Sequence, residues 1–136
     1  MASPRLRAKL LTLLPKLAML AFRAGRLREL LERNPEWASR SALLLLYDES
    51  GRLAFWLGFS NGQPVVKEVD PDNPPEATTE ITMHIDTFIA ILKGRLDFRT
   101  AYLHNLVRIK SNDGLPPTYH FLIWSSYIDK LVELLR

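Results

Sequence analysis

The chain contains no cysteine among its 136 residues. This absence excludes disulfide bonds, thiolate metal ligands and a cysteine nucleophile, and it is typical of a reducing compartment. The glycines are also few and scattered, and none belongs to a loop of the kind that cradles phosphate groups. We therefore expect a cytoplasmic protein, with peripheral membrane contact as an option.

No apolar run is long enough to cross a membrane. The best candidate, Leu10 to Phe22, is interrupted by Pro15 and Lys16, whereas a spanning helix needs roughly 20 predominantly apolar residues. Basic residues precede this run as in a signal peptide, but no small-residue cleavage site follows it. We expect neither a transmembrane helix nor a cleaved signal.

The net charge of +3 is unevenly distributed. Residues 1–40 hold nine Lys and Arg against three Glu, a net charge of +6, and residues 41–136 hold nine against twelve, a net charge of −3. The basic arm would attract an anionic membrane or nucleic acid. Nucleic acid ranks last among the partners because the aromatic residues are not interleaved with Lys and Arg as stacking platforms.

Leucines at alternating spacings of four and three predict a basic amphipathic N-terminal helix. Ser3 and Pro4 suit its first positions, and Pro15 is expected to kink or split it because proline removes a backbone donor. Asn34-Pro35 ends the helix or starts a short turn. The apolar seam consists of Leu6, Leu10, Leu13, Leu17, Leu20, Ala24, Leu27 and Leu31.

From Ser41 the apolar pattern changes to that of strands, followed by short helices. Asp86 and Asp97 are predicted N-caps, and Gly94 is placed to end the first short helix. This order predicts an α+β fold with helices covering one face of an antiparallel sheet. The predicted strands are Ala42–Tyr47, Arg52–Phe59, Pro64–Val69, Ala77–Ile85 and Leu106–Lys110, and the predicted terminal helix is Phe121–Leu135.

No motif predicts a catalytic centre. Gly58 to Gly62 matches G-x-S-x-G, but a nucleophile elbow needs a helix after its turn, and Asn61-Gly62 favours a hairpin between two strands. The three histidines are isolated in sequence and lack ligand partners at metal-binding spacing, and the carboxylates fall at caps and loops. We predict no catalytic residue, no metal and no cofactor. The histidines are His84, His104 and His120.

Aromatic residues are concentrated in the helices that follow the predicted sheet. One such residue alone is typical of an ordinary core, but the set is bulkier than a small sheet needs as cover. The residues leave a filled core and a ligand cavity as equal alternatives. The set is Phe88, Phe98, Tyr102, Phe121, Trp124 and Tyr127.

The block Ile81–Asp97, continuing through Tyr102 to Leu106–Ile109, resembles the sterol-carrier-protein-type lipid-transfer domain. The shared signature is Ile-Thr-Met, an acidic residue, a phenylalanine, an aliphatic pair, a glycine and a leucine, then an aromatic helix and a basic strand. Ala54–Phe59 and the Asn61-Gly62 turn resemble the aromatic strand and hairpin of that family. The likeness covers roughly Ser41 to Ile109, and the terminal helix fits the family's last element.

The resemblance implies a five-stranded antiparallel sheet with helices on one face and an apolar tunnel between them. Such a tunnel holds an acyl chain, an acyl-CoA, a sterol or another isoprenoid without a covalent step. Residues 41–136 would form the lipid-binding domain, and residues 1–40 a helical segment packing on or beside it. The predicted ligand-binding residues are Phe55, Leu57, Phe88, Ile89, Leu92, Phe98, Tyr102, Phe121, Trp124 and Ile128.

Two departures from the family keep an alternative open. Ser111–Pro117 inserts a proline loop, and the terminal helix is bulky where the family has small residues. The N-terminal helix is also longer and more basic than the family needs. On the alternative hypothesis the aromatic rings fill the tunnel, and the Leu6–Leu31 helix contacts a partner chain or a membrane surface.

Overall fold

The computed structural model describes residues 4–23 and 25–134, in which five strands form one sheet in the order β3-β2-β1-β4-β5. The strands are β1 (Ala42–Asp48), β2 (Gly51–Ser60), β3 (Gln63–Val69), β4 (Thr79–His84) and β5 (Val107–Ser111). The helices are α1 (Pro4–Phe22), α2 (Gly25–Arg33), a short 3-10 helix (Pro35–Ser39), α3 (Ile85–Leu92), α4 (Phe98–Leu103) and α5 (Pro117–Leu134). The predicted α+β fold with a five-stranded sheet is confirmed.

One strand pair runs in a direction that the sequence pattern does not predict. Strand β1 pairs with β4 in parallel, with Ala42 opposite Thr79, while the other three pairs are antiparallel. The sheet is therefore mixed, which corrects the expectation of a purely antiparallel one. The physical reason is the connection through residues 70–78, which returns the chain to the opposite end of the sheet before β4 begins.

This connection, the 70–78 strap, crosses the sheet face opposite the main core. Its Asp72 carboxylate pairs with Arg52 at 2.5 Å, and the Glu76 carbonyl accepts a hydrogen bond from Trp56 Nε1 at 3.3 Å. Arg52 and Trp56 alternate along β2 with residues buried in the core, so they lie on the other face. The strap thus supplies the crossover that a parallel pair requires.

The N-terminal leucine seam faces the core of the domain. Its described members pack in the same buried cluster as Leu44, Phe55 and Ile81 from the sheet. Helix α1 runs unbroken past Pro15 and ends at Phe22. Of the two expected effects of the proline, the split is therefore wrong, and the kink stays a prediction. Ala24 of the seam and Ser3 lie outside the described residues. The buried members are Leu6, Leu13, Leu17, Leu20, Leu27 and Leu31.

The caps of α3 and α4 agree with prediction except at one position. The Asp97 carboxylate accepts a hydrogen bond from the Thr100 N–H at 3.1 Å, and Gly94 follows the end of α3 with φ 73°. The N-cap of α3 is His84, whose Nδ1 accepts from the Asp86 N–H at 3.0 Å. The prediction of Asp86 as N-cap is therefore wrong, because the helix begins at Ile85 and Asp86 is its second residue.

The terminal helix begins four residues before its predicted start, at Pro117, where proline suits the first turn. The predicted end at Leu135 lies outside the described residues. None of the helices in the described ranges is long and apolar enough to cross a membrane.

Candidate functional site

The ten predicted ligand-binding residues come together between the sheet and the helices. Seven are at most 3% exposed within the core cluster: Phe55, Leu57, Phe88, Leu92, Phe98, Trp124 and Ile128. The remaining three, Ile89, Tyr102 and Phe121, are half-buried and pack against that cluster. The set therefore forms one contiguous apolar region, although its members were chosen from distant parts of the chain.

Aromatic rings of α5 contact rings from the neighbouring elements. The Phe121 ring stacks on Tyr102 with 4.6 Å between centroids, and on Phe98 with 5.9 Å. Tyr127 meets Phe59 edge-on at 5.9 Å and lies 5.1 Å from Trp124. These contacts hold α5 against both α4 and the sheet.

A cleft of about 260 Å³ opens between α1 and α3. Its apolar wall includes two predicted ligand-binding residues, Ile89 and Leu92, facing Leu13 of α1. Three lysines also line it: Lys9, Lys16 and Lys93. The arrangement combines an apolar wall that reaches the core with cationic groups, which is the pattern that suits an amphipathic anion.

The lysines of this α1–α3 cleft differ in their partners. Lys9 Nζ lies 2.5 Å from a carboxylate oxygen of Asp86 and 4.0 Å from one of Asp48. Within the described ranges, neither Lys16 nor Lys93 forms an ion pair. Two of the three ammonium groups are therefore not neutralised by a carboxylate in the part of the chain that the structure describes.

A second cleft, of about 270 Å³, lies between α5 and the α3–α4 connection and is lined in part by Phe98. Three carboxylates border it, and burial together with Asp97 and Glu133 raises the pKa of Asp129. An anionic head group would be repelled here. The remaining seven predicted ligand-binding residues line neither of these two clefts. They are Phe55, Leu57, Phe88, Tyr102, Phe121, Trp124 and Ile128.

A buried polar cluster around His120 was not predicted from the sequence. The Trp124 Nε1–H donates to Thr79 Oγ1 at 2.9 Å, and the same Thr79 hydroxyl forms a hydrogen bond of 2.6 Å with His120 Nδ1. Arg40 donates to Nδ1, at 3.0 Å. His120 Nδ1 is therefore an acceptor, and the proton of the neutral ring is on Nε2.

The other side of the ring is equally well paired. His120 Nε2 lies 2.9 Å from Ser111 Oγ and 3.0 Å from an Asp113 carboxylate oxygen, and Arg40 pairs with the second oxygen of Asp113. Both His120 and Thr79 are fully buried. The cluster joins the start of β1, β4, the end of β5 and α5. It is an interior hydrogen-bond network of the kind that fixes packing, although Arg40 Nε is buried without a hydrogen-bond partner among the described residues.

Two pKa values are shifted by this environment. Burial lowers the pKa of His120, and the nearby Arg40 cation adds to this effect against the opposing Asp113. Burial by itself raises the pKa of Asp113, but hydrogen bonds from Leu115, Arg40 and Ser111 together with the Arg40 charge lower it to about 2. The cluster thus favours a neutral imidazole beside an ionised carboxylate.

The G-x-S-x-G match forms a hairpin, as predicted. Ser60 ends β2 and pairs with Gln63 of β3, with Asn61 and Gly62 between them at φ 52° and 75°. A strand follows the turn where a nucleophile elbow requires a helix. Within the described ranges, no three His, Asp or Glu side chains are grouped to hold a metal ion.

This arrangement of sheet and helices occurs in solved structures of sterol carrier proteins. A Thermus thermophilus protein, described as possibly a sterol carrier protein, matches with a TM-score of 0.58 and 20% identity over 88% of this chain and 85% of that one. Sterol carrier protein 2 of Yarrowia lipolytica, in its apo form, matches with a TM-score of 0.55 and 15% identity over 83% and 78%.

Sterol carrier protein 2 of Aedes aegypti, solved in complex with palmitate, matches with a TM-score of 0.55 and 13% identity, over 85% of this chain and 96% of that one. The chain therefore has the sterol carrier protein 2 fold, as the Ile81–Ile109 resemblance implies. No protein-family model and no curated protein sequence matches it.

Proposed function

We propose that the chain binds and carries an amphipathic lipid, without a covalent step, through the α1–α3 cleft. The observation that carries the proposal is the cleft itself, in which Leu13, Ile89 and Leu92 form an apolar wall beside lysine side chains. Burial of a lipid chain there contributes about 25 cal/mol per Å² of apolar surface removed from water. The fold shared with a palmitate-bound protein supports the same function.

The lysines favour a ligand with an anionic head, such as a fatty acid or an acyl-CoA. Lys16 and Lys93 are the relevant groups, because Lys9 is already paired with Asp86. A carboxylate or phosphate at the mouth would gain their attraction while its chain lies on the apolar wall. A neutral isoprenoid would gain only the free energy of burying its apolar surface.

A long acyl chain needs more room than the cleft itself offers. Its volume of about 260 Å³ is slightly below the roughly 300 to 1,000 Å³ of small-molecule sites. Ile89, Tyr102 and Phe121 are only half-buried, so we expect these side chains to be the ones that change rotamer and admit the chain. On this proposal the ten predicted residues become the lining of the occupied site.

Blocking variants test the proposal. We expect Thr12→Trp at the rim and Ile89→Trp at the wall to abolish saturable binding of a fluorescent fatty acid to the full chain. Thr118→Trp, at an exposed position on α5, is the matched control and should bind normally. Native mass spectrometry with organic extraction of the purified protein identifies any lipid that is carried along.

The lysines are tested by comparing two ligands. A Lys16→Gln, Lys93→Gln double variant should weaken fatty-acid binding several-fold and leave binding of the matching fatty alcohol unchanged. Equal effects on both ligands would place the head group elsewhere. Unchanged fatty-acid binding in both tryptophan variants would refute the cleft as the binding site.

The close packing of the core favours one alternative, a non-enzymatic interaction module. Trp124 and Phe55 are fully buried, and the Phe121 ring stacks between two other rings, so the interior is filled by its own side chains on this hypothesis. The N-terminal helix would then contact a partner chain or a membrane surface. Absence of any bound lipid in native mass spectrometry, with no displaceable fluorescent fatty acid, would favour this alternative.

A further inference from the structure

The turn between α4 and β5 holds two leucine side chains in solvent. Leu103 is 67% exposed and Leu106 is 47% exposed. We call the segment from Leu103 to Leu106 the leucine corner. Large apolar side chains exposed close together in sequence on one turn are candidates for contact with an apolar partner.

Backbone hydrogen bonds make the leucine corner a defined structure. The Leu106 N–H donates to the Ala101 carbonyl at 2.9 Å, and the Asn105 N–H donates to the Tyr102 carbonyl at 3.1 Å. Asn105 has φ 60°, as this type of helix ending requires. The two leucines are therefore presented by a closed Schellman turn.

Basic side chains surround the leucine corner. Arg99 lies one helical turn before Leu103, and Arg108 and Lys110 project from the same face of β5. An open depression of about 660 Å³ is lined by Leu103, Arg108 and Lys110 together, so these groups share one surface. The carboxylate of Glu80 also lines it and pairs with Lys110 at 3.5 Å, which leaves the two arginines as an excess of positive charge.

We infer that the leucine corner docks on an anionic lipid surface. The leucines enter the boundary between head groups and acyl chains, while Arg99 and Arg108 remain at the level of the lipid phosphates. Charge complementarity and the paired exposed leucines select this partner over an acidic peptide, which would need the cations without the leucines. The contact is centred away from the α1–α3 cleft, since α4 packs on β5 whereas α1 packs on β2 and β3 at the other edge of the sheet. Tyr102 is the one residue that lines both the depression and the proposed occupied site.

Vesicle sedimentation with the full chain tests this inference. Wild-type protein should bind vesicles of phosphatidylcholine mixed with phosphatidylserine more tightly than pure phosphatidylcholine vesicles, and added salt should weaken the binding. A Leu103→Ser, Leu106→Ser double variant should lose at least about tenfold in partitioning. Arg99→Gln and Arg108→Gln should each lose about fivefold on the anionic vesicles only.

Leu11→Ser is the matched control, because Leu11 is 74% exposed on α1, and it should bind as wild type. All these side chains are exposed, so the urea midpoint and fatty-acid displacement should stay unchanged in every variant. Wild-type binding in the double leucine variant, loss of binding in Leu11→Ser alone, equal binding to both vesicle types, or no vesicle binding by the wild type would each overturn the inference.

Discussion

At the scale of single residues, Tyr127 carries an energetic cost that its neighbours do not relieve. Its hydroxyl is buried and has no hydrogen-bond partner among the described residues, and burial raises its pKa. A buried polar group without a partner costs about 1 to 3 kcal/mol. The unpaired hydroxyl of Tyr127 therefore lowers the stability of the free protein.

We predict that Tyr127→Phe stabilises the free protein by about 1 kcal/mol, measured as a higher urea midpoint with an unchanged slope. Tyr47→Phe, at an exposed position, is the control and should have no effect. If Tyr127→Phe is destabilising, the hydroxyl has a partner such as a buried water. If it stabilises the free protein but weakens lipid binding, the ligand supplies the acceptor.

The pH dependence of stability follows from His120. Its pKa is lowered in the folded protein, so the folded state binds this proton less well than the unfolded state, whose value is near 6.5. The contribution of His120 to the free energy of unfolding is fully present above pH 6.5 and is lost as the pH falls below that value. Asp113 adds a second loss at lower pH, between 3.8 and about 2.

We therefore expect the free energy of unfolding to fall as the pH is lowered from neutral through 6.5. His120→Gln, which keeps polar atoms but does not titrate, should show a flatter profile in this range and a lower value at neutral pH. Denaturant titrations at each pH measure both quantities. A profile that is the same in the variant and the wild type would contradict the assignment.

At the scale of elements, one hydroxyl connects α5 to the sheet by hydrogen bonds. Thr79 Oγ1 accepts from Trp124 and donates to His120, so Thr79→Val keeps the shape but leaves the indole N–H without its acceptor. We predict a loss of about 1 to 3 kcal/mol, measured by urea unfolding. Thr82→Val, on the other face of β4, is the control and should change stability by less than about 0.5 kcal/mol.

The same cluster shows where sequence-based prediction ends. Periodicity and turn residues locate α3, the Asn61-Gly62 hairpin and the caps at Gly94 and Asp97, because these features depend on neighbours in the chain. The His120 cluster depends on register: Thr79 lies opposite Ala42 in the parallel pair and opposite Ser111 in the antiparallel pair. The sequence pattern does not determine whether β1 and β4 pair in parallel. It therefore cannot predict that these residues lie close together.

The sequence likewise predicts only a part of the candidate site. The Ile81–Asp97 block indicates the helix that bears Ile89 and Leu92, and both line the α1–α3 cleft. The lysines of the cleft come mainly from α1, whose position over α3 is a matter of tertiary packing. Helix periodicity identifies the apolar seam of α1, but it does not specify which element that seam covers.

At the scale of the whole molecule, we propose that residues 1–40 are an integral part of the folded domain. Six seam leucines are buried with the sheet and the later helices in one cluster, and burial of each such side chain contributes about 1.5 to 3 kcal/mol. Their sum is comparable to the roughly 5 to 15 kcal/mol by which whole domains are stable. Removal of α1 and α2 would therefore cost about as much free energy as the whole folded domain has as stability.

We predict that a chain lacking residues 1–33 is unfolded or aggregates, with loss of the cooperative thermal transition and of near-ultraviolet circular dichroism. The matched control keeps the helices and replaces two exposed residues of α1, Arg7→Gln and Leu11→Ser, which should leave the transition unchanged. A truncated chain that melts cooperatively near the wild-type temperature would show that residues 34–136 form an independent domain. The N-terminal helices would then not be needed for folding. The leucines of their seam would be available to contact the partner chain or the membrane of the alternative hypothesis.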